Sequence, residues 1–209
     1  MKRIISKKQR ERKERKNQII LGLILVLLMV LSLGGYALMS GSNSSNTQNQ
    51  IIKYSQIKFI ENSGNWYFNL YDSEFETKYN PKELENLSKI IFNDFNNSNF
   101  TKILSDYQNK PLYFSGDSEN FMNCFYEINK NINPFILRQQ LACLENEICS
   151  KDLPIKNCEQ DNLIIIKNSE DSDLNTKIYQ KDNCVFIITN QEDSIKSCDL
   201  FLFKILGIY

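Results

Sequence analysis

The chain has 209 residues with 25 basic and 25 acidic side chains, so its formal net charge is zero. It contains no histidine, which excludes His-dependent activation of Ser or Cys and the H-E-x-x-H zinc site. The phosphate-binding patterns G-x-x-x-x-G-K-[ST] and G-x-G-x-x-G are also absent, so no nucleotide site is indicated.

The N-terminal tail, residues 1–18, is strongly basic, with nine Lys or Arg side chains and two acids. The rest of the chain is left with 16 basic and 23 acidic side chains, a net charge of −7. Because cytoplasmic flanks of membrane helices are rich in Lys and Arg, the tail is predicted to face the cytoplasm. Contact with anionic lipid headgroups would suit the same side chains, and no nucleic-acid partner is expected.

An uncharged apolar run follows over residues 19–39. A helix of this length spans roughly 30 Å, the thickness of the hydrocarbon core of a bilayer. We therefore predict a single transmembrane helix that acts as a retained signal anchor in the cell membrane, with the lipid bilayer as its partner. A cleaved signal peptide is the alternative, although the exit YALMSGS matches the A-x-A cleavage pattern poorly. Residues 40–50 have no apolar side chain and read as a flexible linker.

Residues 51–209 are predicted to form one α+β extracytoplasmic domain. The pattern indicates a hairpin of strands 51–60 and 66–71 around the turn 62–65, then a third strand, 75–79. Asn80 and Pro81 have the residue types of a helix N-cap and first turn. The later elements are predicted as a strand at 111–115, a helix bearing Phe121 to Ile128, a helix from Pro134 bearing Leu137, Leu141 and Leu144, strands at 163–167, 177–180 and 184–189, and a closing helix at 194–208.

All six cysteines lie after the predicted anchor, as expected for a disulfide framework in an exported domain. They are Cys124, Cys143, Cys149, Cys158, Cys184 and Cys198. Six cysteines allow fifteen pairings, and the sequence cannot select one. The local order of the predicted elements suggests Cys149–Cys158 around a short loop that contains Pro154, Cys184–Cys198, and Cys124–Cys143 between two adjacent helices. No C-x-x-C pair is present, and a reactive or intermolecular cysteine is the remaining alternative.

No residue is assigned a catalytic, cofactor-binding or metal-binding role, and no cofactor is expected. Three acidic pairs read as solvated surface, although Asp171 and Asp173 would also suit weak Ca²⁺ binding. The pairs are Glu83 with Glu85, Glu145 with Glu147, and Asp171 with Asp173. An exposed aromatic face of Trp66, Tyr67 and Tyr71 is a minority interpretation. Glycosylation sequons start at Asn43, Asn86, Asn96 and Asn99.

Three segments carry a resemblance to known proteins: the basic N-terminus with its apolar run, CSKDLPIKNC, and the ending CDLFLFKILGIY. They resemble small single-pass membrane proteins of prokaryotes, archaea in particular, whose function is not known. The resemblance covers the anchor and the last sixty residues or so. It implies the same anchored topology and no catalytic assignment.

These features favour a membrane-anchored extracytoplasmic binding or interaction module over an enzyme. The expected partner is a protein outside the cell membrane. Two alternatives stay open. One is an envelope enzyme, either a thiol-disulfide protein or a carboxylate-dependent hydrolase, which needs a low-pKa free cysteine or a buried acidic pair in a cleft. The other is an accessory subunit of a membrane complex, held through its transmembrane helix.

Overall fold

The structure is a computed structural model and describes residues 16, 18–29, 50–92, 100–116, 119–145, 147–149, 152–169 and 176–209. The chain divides into two compact units, residues 1–48 and residues 49–209. Nearly all of the predicted basic tail, the second half of the predicted anchor and nearly all of the predicted linker lie outside the described residues.

Residues 18–29 of the first unit are helical. The ten large apolar side chains between Ile19 and Met29 are all at least half exposed. Within the described residues, no helix combines the length and the apolar character needed to cross a membrane. The predicted transmembrane segment continues to residue 39, so its full span stays a prediction.

The second unit is a mixed α+β domain, as predicted. Its strands are β1 (Ile51–Tyr54), β2 (Ile57–Asn62), β3 (Asn65–Leu70), β4 (Ser73–Thr77), β5 (Pro111–Ser115), β6 (Arg138–Leu141), β7 (Cys143–Leu144), β8 (Ile155–Lys156), β9 (Leu163–Asn168), β10 (Lys177–Lys181) and β11 (Cys184–Thr189). Its helices are α1 (Pro81–Phe92), α2 (Glu119–Ile132), α3 (Ser194–Ile205) and a short 3-10 turn at Leu104–Asp106.

Strands β1 to β4 form an antiparallel meander in sequential order. The predicted hairpin around residues 62–65 is confirmed as β2 and β3. The predicted strand 51–60 is wrong in one respect, because Ser55 and Gln56 break it into β1 and β2. Both residues have positive φ, 45° and 68°, which matches the twist of a two-residue hairpin loop. Neither residue is Gly or Asn, the residue types that usually mark such a turn.

Helix α1 begins with the predicted cap. Asn80 Oδ1 accepts hydrogen bonds from the backbone N–H groups of Lys82 at 2.9 Å and Glu83 at 3.2 Å. The Glu83 carboxylate in turn accepts from the Asn80 N–H at 3.0 Å. These reciprocal bonds form a capping box, which satisfies N–H groups that have no partner within the helix.

The second sheet has five strands in the order β10-β11-β9-β5-β6. Strands β6, β5, β9 and β11 are parallel, and β10 is antiparallel to β11. Helix α2 makes the crossover from β5 to β6. The predicted strands at 111–115, 163–167, 177–180 and 184–189 and the closing helix are confirmed, the helix ending at Ile205.

The helix predicted from Pro134 is wrong, because this stretch forms β6 and β7. The backbone N–H of Leu137 donates to the Lys110 carbonyl, and the Phe135 carbonyl accepts from the Asn109 N–H. These bonds direct the chain along β5. The apolar spacing that suggested a helix is not a buried face, since Leu137 is 67% exposed.

Helix α3 lies at the centre of the core, and none of its residues is exposed. Its Phe203 packs on Phe59 and Phe68 of the meander. Its Phe201 packs on Phe100 and Tyr107. The core also includes the inward side chains of the five-stranded sheet. One face of that sheet is therefore covered by helices, and the other needs a different cover.

Candidate functional site

The second face of the five-stranded sheet is covered by a segment that we call the cap, residues 142–162. Residues 146, 150 and 151 of the cap lie outside the described part of the chain. Strands β7 and β8 pair within it. It covers a small apolar cluster of Tyr113, Leu163, Ile165 and Cys184 from the sheet, together with Ala142. Parallel sheets are normally covered by helices on both faces, so this cover is unusual and needs other means of attachment.

Two disulfides brace the cap. Cys143 bonds to Cys149 inside it, with 6.0 Å between the Cα atoms. Cys158 bonds to Cys184 of β11, with 5.0 Å between the Cα atoms. The first bond closes a small ring within the cap, and the second fastens the C-terminal part of the cap to the sheet.

The third disulfide joins α2 to α3 through Cys124 and Cys198. The prediction that all six cysteines are in disulfides is confirmed, and none is free. The three pairings suggested by local order are wrong. Cys198 turns toward α2 and Cys184 toward the cap, so tertiary packing decided their partners.

A buried tyrosine anchors the middle of the cap. The Arg138 guanidinium donates to the Tyr113 hydroxyl at 3.0 Å, and Lys156 Nζ lies 4.3 Å from the centre of the Tyr113 ring. The Arg138 bond is the main cause that lowers the pKa of Tyr113. Asp161 accepts from Lys156 at 2.9 Å, so the cation is held from both sides. This cluster orients β8 over the sheet.

Both ends of the cap are also tied by polar contacts. Lys167 pairs with Glu147. The Asn183 backbone N–H donates to the Cys158 carbonyl at 2.9 Å, and its side-chain amide donates to the Glu159 carbonyl at 2.8 Å. Buried Lys102 donates to Asn162. The cap is thus attached along its length.

The outer surface of the cap presents two large apolar side chains. Ile155 is 71% exposed, and Ile148 is fully exposed. Ile155 lies opposite Cys143 in the β7–β8 pair, and the partner of Cys143, Cys149, directly follows Ile148. Since successive side chains of a strand point to opposite faces, Ile155 points away from the sheet while Lys156 points toward it. The disulfide-braced cap therefore exposes Ile148 and Ile155, which we call the apolar tip.

The predicted acidic pairs do not converge on a site. Glu83 completes the α1 cap, Glu85 pairs with Lys89 at 2.8 Å, and Glu147 pairs with Lys167. Asp171 and Asp173 lie outside the described residues. Across the part of the chain that is described, no group of three or more Cys, Asp or Glu side chains is placed to hold a metal ion.

The predicted aromatic face is not formed, because Trp66 is buried while Tyr67, its neighbour in β3, faces the opposite side of the meander. Tyr71 lies in the β3–β4 turn and is 62% exposed. Of the sequons, that at Asn86 lies on the exposed side of α1. Those at Asn43, Asn96 and Asn99 start outside the described residues.

Two groups of buried ionisable residues were missed by sequence reasoning. Asp199 is fully buried in α3 and interacts with Glu127 of α2. Lys102 is 6% exposed, and burial lowers its pKa to about 8. Asp199 carried a signal, since it is an acid at the start of the apolar run CDLFLFKILGIY. Lys102 carried none, because its neighbours in sequence are ordinary loop residues.

Searches of protein-family models, curated proteins and solved structures found no match to this chain.

Proposed function

We propose that this protein is a membrane-anchored binding module whose cysteine-bearing domain lies outside the cytoplasm and contacts a protein partner through the cap. The observation that carries the proposal is the exposed apolar tip on a segment that is held by two disulfides.

The location is supported by the cysteines and by the apolar run. All six sulfurs are bonded, and structural disulfides persist mainly in oxidising compartments outside the cytoplasm. The helical residues 19–29 expose apolar side chains throughout, and transfer of such surface from water into a bilayer is favourable. The basic tail before them favours a cytoplasmic N-terminus.

The apolar tip of the cap is favoured as the binding surface because it is both apolar and rigidly held. Large exposed apolar side chains contribute most to binding when they are already fixed in position, since little conformational entropy is then lost. Ile148 and Ile155 meet this condition, because the Cys143–Cys149 bond and the β7–β8 pair hold the backbone around both. The partner surface that fits is an apolar recess of a protein in the same compartment.

The test places a photocrosslinking amino acid at position 148 in cells and compares the adducts with those from position 90 on α1, where Ile90 is similarly exposed at 69%. We expect a discrete protein adduct from position 148 that is lost in the Ile155→Ser variant. Equal adducts from both positions, or none from position 148, would contradict the use of the cap.

The location has its own test, which is protease protection of intact cells or right-side-out vesicles. A C-terminal epitope is expected to be digested and an N-terminal one protected. If both are protected, the domain is not outside. Crosslinks from positions within residues 19–39 to another membrane protein would instead favour the accessory-subunit alternative. The thiol-dependent enzyme alternative loses its support, since no cysteine is free.

A further inference from the structure

Two acidic side chains meet inside the domain where α2, α3 and the meander come together. Asp199 is fully buried, and the side chain of Glu127 is 11% exposed. One carboxylate oxygen of Asp199 accepts from the Tyr79 backbone N–H at 2.8 Å. The other, Oδ1, has no conventional hydrogen-bond donor in the described part of the chain. A buried carboxylate oxygen without a donor is costly, and a proton shared with the neighbouring Glu127 would supply the missing bond.

The helices cannot separate to relieve repulsion between these acids. The Cys124–Cys198 disulfide joins α2 to α3 with 5.5 Å between the Cα atoms. Asp199 directly follows Cys198, and Glu127 lies one helical turn after Cys124. The cross-link therefore keeps the two carboxyl groups together, and uptake of a proton is the remaining way to remove the repulsion between them.

One cation and one further acid face the pair. Lys130 of α2 pairs with Glu127 at 3.0 Å and with Glu76 of β4 at 3.1 Å. Lys130 and the Tyr79 N–H both favour the ionised form of Asp199, whereas burial and the charge of Glu127 oppose it, and the pKa of Asp199 lies well above its usual value. Since Lys130 is shared with Glu76, one positive charge faces three carboxyl groups. A single proton on the Asp199–Glu127 pair reduces this excess of negative charge.

We propose that Asp199 and Glu127 hold one proton between them and form a pH-sensitive latch, in which the shared proton joins α2 to α3 where they meet the meander and its loss loosens that junction. The proton passes to solvent base when the latch opens, leaving two carboxylates beside Lys130. The contact that is lost is the bond between Asp199 and Glu127, whereas the backbone N–H of Tyr79, which lies between β4 and α1, keeps its bond to the ionised Asp199.

The sign of the pH effect is fixed by the raised pKa of Asp199. Asp199 of the unfolded chain has an ordinary pKa of 3.8. Between pH 3.8 and the pKa of the folded state, the folded protein therefore holds a proton that the unfolded chain has released. The stabilisation is therefore complete in acid and is lost as the pH rises through the pKa of the folded state.

The experiment uses the full-length protein in detergent micelles. Infrared spectra recorded from about pH 5 to about pH 9 are expected to show the carbonyl band of a buried protonated carboxyl group, which Asp199→Asn removes and which weakens at the alkaline end. The melting temperature of the wild type is expected to fall by roughly 3 °C or more over this range relative to Asp199→Asn, whose amide keeps the acceptor for Tyr79. Glu85→Gln, at an exposed ion pair, serves as the charge-matched control and should follow the wild type.

Glu127→Gln gives an independent reading if Asp199→Asn does not fold, since it should also remove the pH-dependent fall. The proposal is overturned if the wild type shows no protonated carboxyl band at about pH 5. It is equally overturned if the wild type and both variants have parallel profiles of melting temperature against pH.

Discussion

The side-chain amide of Asn131 completes the edge of the meander at Glu76. Its Oδ1 accepts from the Glu76 backbone N–H at 2.8 Å, and its Nδ2 donates to the Glu76 carbonyl at 2.7 Å. These are the two bonds that a further strand would make to β4. The amide thus acts as a one-residue partner strand, fixes α2 to the meander, and blocks the pairing of another chain at this edge.

Asn131→Ala is expected to lower the free energy of unfolding by about 1–3 kcal/mol, because two backbone groups of a partly buried residue lose their partners. Asn133→Ala, at an exposed position just beyond α2, should change it by less than about 0.5 kcal/mol. Urea unfolding followed by circular dichroism measures both. Equal effects of the two substitutions would show that the Asn131 bonds add nothing specific.

The β1–β2 turn is expected to be improved by the double substitution Ser55→Asn, Gln56→Gly. Both positions are exposed and have positive φ, a conformation that Asn and Gly adopt at lower cost than Ser and Gln. The gain should be on the order of 1 kcal/mol in thermal or urea unfolding. The substitutions Gln139→Asn and Gln140→Gly, at two exposed positions within β6, should instead destabilise the protein, and a gain there would contradict the turn-specific reason.

The three disulfides are expected to differ in lability and in their contribution to stability. The Cys143–Cys149 bond should be reduced first, since Cys149 is exposed whereas Cys124 and Cys198 are fully buried. Timed reduction, alkylation and peptide mass mapping would give the order, and reduction of Cys124–Cys198 before the other two would contradict its buried placement.

The disulfides should also contribute unequally to stability. In the chain-entropy model, removing the Cys143–Cys149 bond, whose cysteines are 6 residues apart in sequence, costs about 2 kcal/mol, and removing the Cys124–Cys198 bond, whose cysteines are 74 residues apart, costs about 4 kcal/mol. The free energies of unfolding of paired Cys→Ser variants test this ratio.

Lys102→Met is expected to stabilise the domain at neutral pH, since the cost of burying an ammonium group exceeds the contribution of its hydrogen bond to Asn162. Burial lowers the pKa of Lys102 from 10.5 to about 8, so the unfolded chain binds more protons between these values and wild-type stability gains from this residue as the pH rises through that window. The advantage of Lys102→Met should therefore shrink above about pH 8.

Comparing the two proteins at each pH isolates this effect from that of Asp199. Lys58→Met, at an exposed position of β2, is the control and should show no such trend. If the difference between Lys102→Met and wild type is the same at every pH, Lys102 does not titrate in this range.

Local patterns in the sequence were reliable where local interactions decide the structure. Asn80 and Pro81 mark the start of α1 because the cap bonds join residues three apart. The run Ile164 to Ile166 marks β9 because a strand that is covered on both faces needs no polar alternation. The hairpin at Ser63 and Gly64 has glycine at a positive-φ position, 79°.

The sequence failed where a distant segment supplies the decisive contact. Leu137, Leu141 and Leu144 have the spacing of a helix. The backbone groups of Phe135 and Leu137 nevertheless bond to the loop before β5. Cys184 and Cys198 are near each other in the chain, yet each turns toward a different layer. The cap could not be predicted for the same reason, since its β7–β8 pair has two residues per strand and no pattern of its own.

None of the three disulfides reaches the meander. Cys124–Cys198 joins two helices, Cys158–Cys184 joins the cap to the sheet, and Cys143–Cys149 closes a ring. Gln50, where the expected linker ends, leads directly into β1 and accepts from Glu61 at 2.8 Å. A mechanical pull on the chain at this point would therefore act first on hydrogen bonds between antiparallel strands. The strands of the meander would therefore separate before the layers that the disulfides hold together.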